Sequence, residues 1–207
     1  MNLVKLPVDS DYPTHSQRHR LRQQYINEMK QQLNQYLEHE MIAITVKPLF
    51  STSDFQRKTP ADNAAHVRDC YLNVERQLNS IIVKNHRRPS KQHLLLKSHQ
   101  FVEITKRDST IDCPHSHGIL LVHPETTDKL ESLMTKSSTN ATTGTISYDL
   151  KHSLLQNLSN QIHSIKLHRL HDVSGWIDYC TKQIERIGYP NAFTTGFKQA
   201  ALKSNGN

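Results

Sequence analysis

Cysteine is scarce in this chain of 207 residues: Cys70, Cys113 and Cys180 are odd in number and widely spaced. Such a set builds neither a disulfide framework nor a zinc knuckle, and it suits a reducing, cytoplasmic setting. Long apolar runs are missing as well. Gly118 to Val122 is among the longest, far too short to cross a bilayer, and Met1 to Pro7 lacks the apolar stretch of a signal peptide. No Gly-rich phosphate loop of the form G-x-x-x-x-G-K-[ST] occurs, so no P-loop motor lies within the sequence. Hydrophobic residues reach only 35% and aromatics 6%, which predicts one domain with a polar surface. No internal repeat is visible.

What is abundant is positive charge and histidine. Lys and Arg number 26 against 19 acidic residues, a net charge of +7, and there are 14 histidines. A basic chain of this kind favours a polyanionic partner such as nucleic acid. An anionic membrane is the weaker choice, because no helix pairs a basic face with a Trp/Phe/Leu face.

The periodicities predict the element order. From Thr14 to His39, Leu21, Tyr25, Met29, Leu33 and Leu37 recur every four residues, a helical stripe whose other faces carry solvated Arg18, Arg20, Arg22 and Lys30. Met41 to Lys47 is β-branched and stops at Pro48, a first strand. A long amphipathic helix runs from Pro60 to about Asn85 and ends in the basic cluster Lys84, His86, Arg87, Arg88 and Lys91. One or two strands follow between His93 and Thr105, then the polar loop Lys106 to Pro114 and a strand up to Val122. A short helix is expected over Glu125 to Lys136, a Ser/Thr/Asn-rich loop over 135–147, and a strand over Ser164 to Leu170. The stretch Leu150 to Ile162 reads equally as helix or strand. The final helix spans Ser174, as N-cap, to Ile187, with Gly188 as its stop. This order predicts an α+β fold with a mainly antiparallel sheet. Residues 1–40 form a leader and a helix packed on the main domain, 41–190 the main domain, and 191–207 a polar tail.

The chemistry gathers at His115-Ser116-His117. On a strand, side chains at i and i+2 share a face, so both imidazoles stand side by side while Ser116 points away. That is half of a metal site. Glu103, at the end of the preceding strand, reaches the same ion if the two strands pair antiparallel across the intervening loop. Two imidazoles and a carboxylate, with positions left open, suit Mn2+, Mg2+ or Zn2+.

On the last helix, at about 100° per residue, Tyr179, Lys182, Gln183 and Arg186 share a stripe. The apolar stripe beside it holds Trp176, Ile177, Cys180, Ile184 and Ile187, leaving Asp178, Thr181 and Glu185 toward solvent. A tyrosine facing a metal-bound phosphodiester has a specific reaction open to it. The ion polarises a non-bridging oxygen, and nearby positive charge makes the phenol, otherwise a poor nucleophile at neutral pH, competent for attack. The products are a covalent phosphotyrosine and a free 3′-hydroxyl. Lys182 stabilises the developing charge or carries the proton, and Gln183 ligates the metal or positions the phosphate.

Pro114-His115-Ser116-His117-Gly118 with Ile119 to Val122 resembles the His-hydrophobe-His strand of the HUH endonucleases. Tyr179-Cys180-Thr181-Lys182 resembles the Tyr-x-x-Lys helix of their single-tyrosine replication initiators, the Rep proteins. The resemblance covers about residues 41–188. It implies an HUH nuclease fold, a ferredoxin-like central antiparallel β-sheet with helices packed on its faces, that nicks and joins single-stranded DNA with Mn2+ or Mg2+. It also implies Tyr179 as nucleophile with Lys182 beside it, starting rolling-circle replication of a plasmid, phage or satellite element. The partners would be single-stranded DNA or an origin hairpin, plus a helicase and DNA polymerase from the host or the element, in the cytoplasm of a bacterial or phage-infected cell. Ser116 departs from the bulky middle residue of the family pattern. Rep-like enzymes usually draw the third ligand from a neighbouring strand, which points to Glu103; single-tyrosine transposases use a glutamine four residues after the tyrosine, the place of Gln183. A transposase or relaxase, or an origin-binding protein that does not cut, are the alternatives. Arg57, Lys58, Arg87, Arg88, Lys91 and Arg186 are the candidates for phosphate contacts.

Overall fold

The computed structural model describes residues 14–49, 60–103, 114–141, 145–150, 161–187 and 193–195; of 60–61, 183–187 and 193–195 it describes the backbone alone. Thr14 opens helix α1 (His15–Leu33) with a reciprocal capping box: Gln17 N donates to Thr14 Oγ1 at 3.3 Å and Thr14 N donates to Gln17 Oε1 at 2.7 Å. After a 3-10 turn come β1 (Glu40–Pro48), α2 (Pro60–Ile82), a 3-10 helix (Pro89–Leu94), β2 (Lys97–Glu103) and β3 (His115–Val122). Then follow α3 (Pro124–Ser132), β4 (Met134–Thr139), β5 (Ile146–Leu150), β6 (Ile162–Arg169), α4 (Val173–Ile187) and β7 (Phe193–Thr195).

The strands form one sheet in the order β4-β5-β6-β1-β3-β2-β7, with every described pairing antiparallel. The fold is α+β. Strands β1 and β2, joined through α2, run parallel to each other with β3 inserted antiparallel between them, a split β-α-β unit.

Strand β3 is covered on both sides. Leu120 and Val122 join Ile42, Ile44, Tyr71, Val74, Leu78 and Leu130 under α2 and α3. Ile119 and Leu121 join Phe101, Ile26, Met29, Leu33, Ile177 and Cys180 under α1 and α4. Burial on both faces is why this strand reads as an unbroken apolar run rather than an alternating one. Counting back by twos from Ile119, His117 and His115 fall on the α1/α4 face.

Several expected boundaries move. Helix α1 ends at Leu33 instead of His39, because the chain tightens into the 3-10 turn Asn34–Tyr36; Leu37 is thereby turned out to 79% exposure instead of joining the stripe. The Ser/Thr-rich stretch expected as a loop contributes instead to the antiparallel pair β4 and β5, with β4 at the sheet edge and almost entirely exposed. An exposed edge strand has no reason to be apolar, so its sequence reads as loop. The region from His93 splits into the end of a 3-10 helix and β2. Asp172, not Ser174, caps α4: Gly175 N donates to its Oδ1 at 2.8 Å. Phe193–Thr195, expected in the tail, pairs with β2. Residues 1–13 and 151–160 lie outside the described residues.

Two stability predictions follow from this packing. A Cβ at Gly118 would stand against the buried Tyr71 hydroxyl and 2.8 Å from the His99 carbonyl oxygen. Gly118→Ala is expected to cost about 1–3 kcal/mol in urea denaturation, the usual penalty of overpacking. His99 on β2 is almost wholly buried, and burial pushes its imidazole down to about 4 from the ordinary 6.5. It therefore stays neutral where the unfolded chain takes a proton, so stability falls as pH drops from 6.5 toward 4, by an amount on the order of 3 kcal/mol. Unfolding free energies measured across that window should slope less in His99→Gln than in the wild type.

Candidate metal centre and nucleophile

The β2–β3 register sets Glu103 opposite His115 and Phe101 opposite His117, while β1 sets Thr45 opposite His117 on the other side. Glu103 Oε2 lies 3.2 Å from His117 Nε2 and 3.7 Å from His115 Nε2, and the two Nε2 atoms are 3.1 Å apart. Metal–ligand bonds of about 2.1 Å put neighbouring ligands about 3.0 Å apart in an octahedron and about 3.4 Å apart in a tetrahedron. The three donors thus stand at the separations of ligands that share one ion, and they form a group that can hold a metal. Thr45 Oγ1 is 3.0 Å from His117 Nδ1. With its proton on Nδ1, His117 donates to that hydroxyl and offers the Nε2 lone pair to an ion.

Burial works against the charge on Glu103, whose side chain is 13% exposed, but the hydrogen bond with His117 and the charges of Lys182, His115 and His117 more than offset it, and the carboxyl is held down at about 2. It is ionised throughout the physiological range. Lys182 Nζ is 3.5 Å from Glu103 Oε2.

Helix α4 crosses this face of the sheet. The Tyr179 ring centroid is 5.1 Å from that of His117, and the Lys182 ammonium sits 3.6 Å above the centre of the tyrosine ring. Tyr179 is 43% exposed, open to an incoming chain. Trp176, expected as one more core residue, stacks on Tyr179 with centroids 5.3 Å apart, and its Nε1–H donates to the Gly118 carbonyl at 3.1 Å. The indole therefore ties the tyrosine to the strand that carries the histidines. Arg22 of α1, expected in solvent, donates to the carbonyl and carboxylate of Asp178 at 3.0 and 2.8 Å and to Thr181 Oγ1 at 3.3 Å. Thr181, expected toward solvent, is fully buried because α1 covers that face of α4.

The site thus brings together His115, His117, Glu103, Tyr179 and Lys182. Gln183 and Arg186 lie on α4, but their side chains are outside the described residues, as are Arg57 and Lys58 altogether. Arg87, Arg88 and Lys91 are exposed in the connection before β2. They stand at the opposite end of that strand from Glu103, about 20 Å along it, so they are not gathered around the triad. Sequence reasoning missed Thr45, Trp176 and Arg22. Among the described residues no helix is long and apolar enough to cross a membrane.

Losing the hydroxyl behind His117 should be felt at the ion. Thr45→Val is expected to weaken Mn2+ binding by about 10–100-fold, measured by calorimetric titration with the fold checked by circular dichroism. Unchanged affinity would remove Thr45 from the site. No family model, curated protein or solved structure matches this chain, so the reading of the centre rests on its own geometry.

Proposed function

We propose that the protein is a metal-dependent endonuclease of the HUH type that nicks and rejoins single-stranded DNA through Tyr179, acting as a Rep initiator of rolling-circle replication. The observation that carries this reading is the exposed Tyr179 beside His117, with Lys182 within 3.6 Å of its ring and 3.5 Å of the triad carboxylate. The strand order β6-β1-β3-β2, with α2 after β1 and α3 after β3, is that of a ferredoxin-like sheet and supports the fold expected for such enzymes. Glu103, within reach of both histidines, supports the Rep-like choice of third ligand from the neighbouring strand.

Glu103, His115 and His117 would hold the divalent ion, Mn2+ or Mg2+, which when bound supplies charge stabilisation at a non-bridging phosphate oxygen. Tyr179 Oη attacks the phosphorus. An O–P bond to the tyrosine forms, the P–O3′ bond breaks, the phenol proton leaves and the departing 3′ oxygen takes one up. The products are a 5′-phosphotyrosine and a 3′-hydroxyl. Lys182, over the ring, is placed to carry a proton or to stabilise negative charge that develops during attack. Trp176 and the Thr45–His117 hydrogen bond limit the motion of the nucleophile and of one ligand, which keeps the reacting groups in register. A 3′-hydroxyl is what a polymerase extends, so the reading calls for a helicase and a DNA polymerase from the host or the element, an origin hairpin as substrate, and a bacterial or phage-infected cytoplasm.

The test is a denaturation-resistant adduct. Wild-type protein with Mn2+ and single-stranded DNA from its own element should yield a protein–DNA band in denaturing gels. Tyr179→Phe should yield none while still binding Mn2+ and the same DNA. Cleavage that persists in Tyr179→Phe would mean that water is the nucleophile and would sink the proposal.

A further inference from the structure

Lys182 Nζ has two partners at once, the Glu103 carboxylate at 3.5 Å and the face of Tyr179 at 3.6 Å from its centroid. The oxygen it approaches, Oε2, is also the one nearest to both histidine nitrogens. An ammonium and a divalent cation therefore compete for the same atom. They repel each other, and both cannot use that oxygen at full strength. Lys182 has somewhere to go, since its four-carbon stem lets the ammonium leave Oε2 without leaving the tyrosine ring.

We propose that Lys182 is a stand-in cation: it neutralises Glu103 in the metal-free site and, when it yields the carboxylate to a divalent ion, it is left on Tyr179. Metal loading and preparation of the nucleophile are then coupled through one side chain. The coupling is reciprocal, so a charge that the metal must displace is a charge whose removal tightens metal binding. The role given to Tyr179 here rests on the proposed nuclease reading; the competition at Glu103 does not.

The experiment needs no DNA. Mn2+ is titrated into the wild type, Lys182→Met and Lys182→Arg, with free Mn2+ followed by electron paramagnetic resonance. Lys182→Met keeps the stem and loses the charge, and it should bind Mn2+ about tenfold tighter than the wild type. Lys182→Arg keeps the charge and should bind like the wild type. The side-chain 15N signal of Lys182 should also move when diamagnetic Mg2+ is added. Equal or weaker binding by Lys182→Met, or Lys182→Arg behaving like Lys182→Met, overturns the inference. If Lys182→Met binds no tighter while the wild type forms its DNA adduct, the stand-in role falls and the nuclease reading stands. If Lys182→Met binds tighter while no adduct forms on Tyr179, the competition stands and the nuclease reading falls.

Discussion

A carboxylate that stays ionised while largely buried has to be met by positive charge, and Glu103 imposes that demand on everything around it. The Lys182 ammonium answers it at 3.5 Å, and two imidazole nitrogens lie within 3.7 Å of the same oxygen. Each comes from a different constraint. The histidines arrive by strand pairing with Glu103 itself, and Lys182 arrives on a helix laid across the sheet. The tyrosine is a by-product of that last placement: one turn before Lys182 on α4, it is brought to the histidines by the same helix. A centre built on one charge therefore gathers ligand and nucleophile candidates together.

The supports are layered in the same way. Arg22 grips α4 from α1 at the residue just before Tyr179 and again at Thr181, so the helix that carries Tyr179 is held from its outer side. Trp176 holds it from the inner side through Gly118, the residue after His117. The hydrogen bond to Gly118 and the stack on Tyr179 make the indole a bridge of fixed geometry between the two halves of the site. The Tyr179 ring is exposed, while Ile177 and Cys180 on the same helix remain buried in the core.

How much of this could be read in advance depends on the range of each contact. Side chains that share a face by period two, His115 with His117, or by period 3.6, Tyr179 with Lys182, are fixed by local geometry and were legible. Glu103 needed one further assumption, that β2 and β3 pair antiparallel across their loop, and the observed register meets it. Thr45, Trp176 and Arg22 depend on which strand lies beside β3 and which helix covers α4. Those contacts span 72, 58 and up to 159 residues of sequence, and no local pattern carries them. The misplaced elements have the opposite cause. Leu37 fits the apolar stripe but lies past a 3-10 turn that breaks its phase, and β4, at the sheet edge, is exposed over all but its first residue and carries no alternation to read.

At Ser116 the strand departs from the His-hydrophobe-His pattern that it resembles. This serine is fully buried, opposite Val46 on β1 and Val102 on β2, and it faces α2 rather than the Glu103–histidine cluster. That side of the sheet is more polar than an ordinary core. Ser98 donates to the Glu75 carboxylate there, burial pushes that carboxyl above its usual range, and the Tyr71 ring lies against Gly118. The middle residue between the two histidines thus answers to the packing under α2 and not to the other face of the sheet. Period-two alternation insulates the two, so a serine there alters the interior beneath the strand while the directions of His115 and His117 are set by their pairing with Glu103 and Thr45.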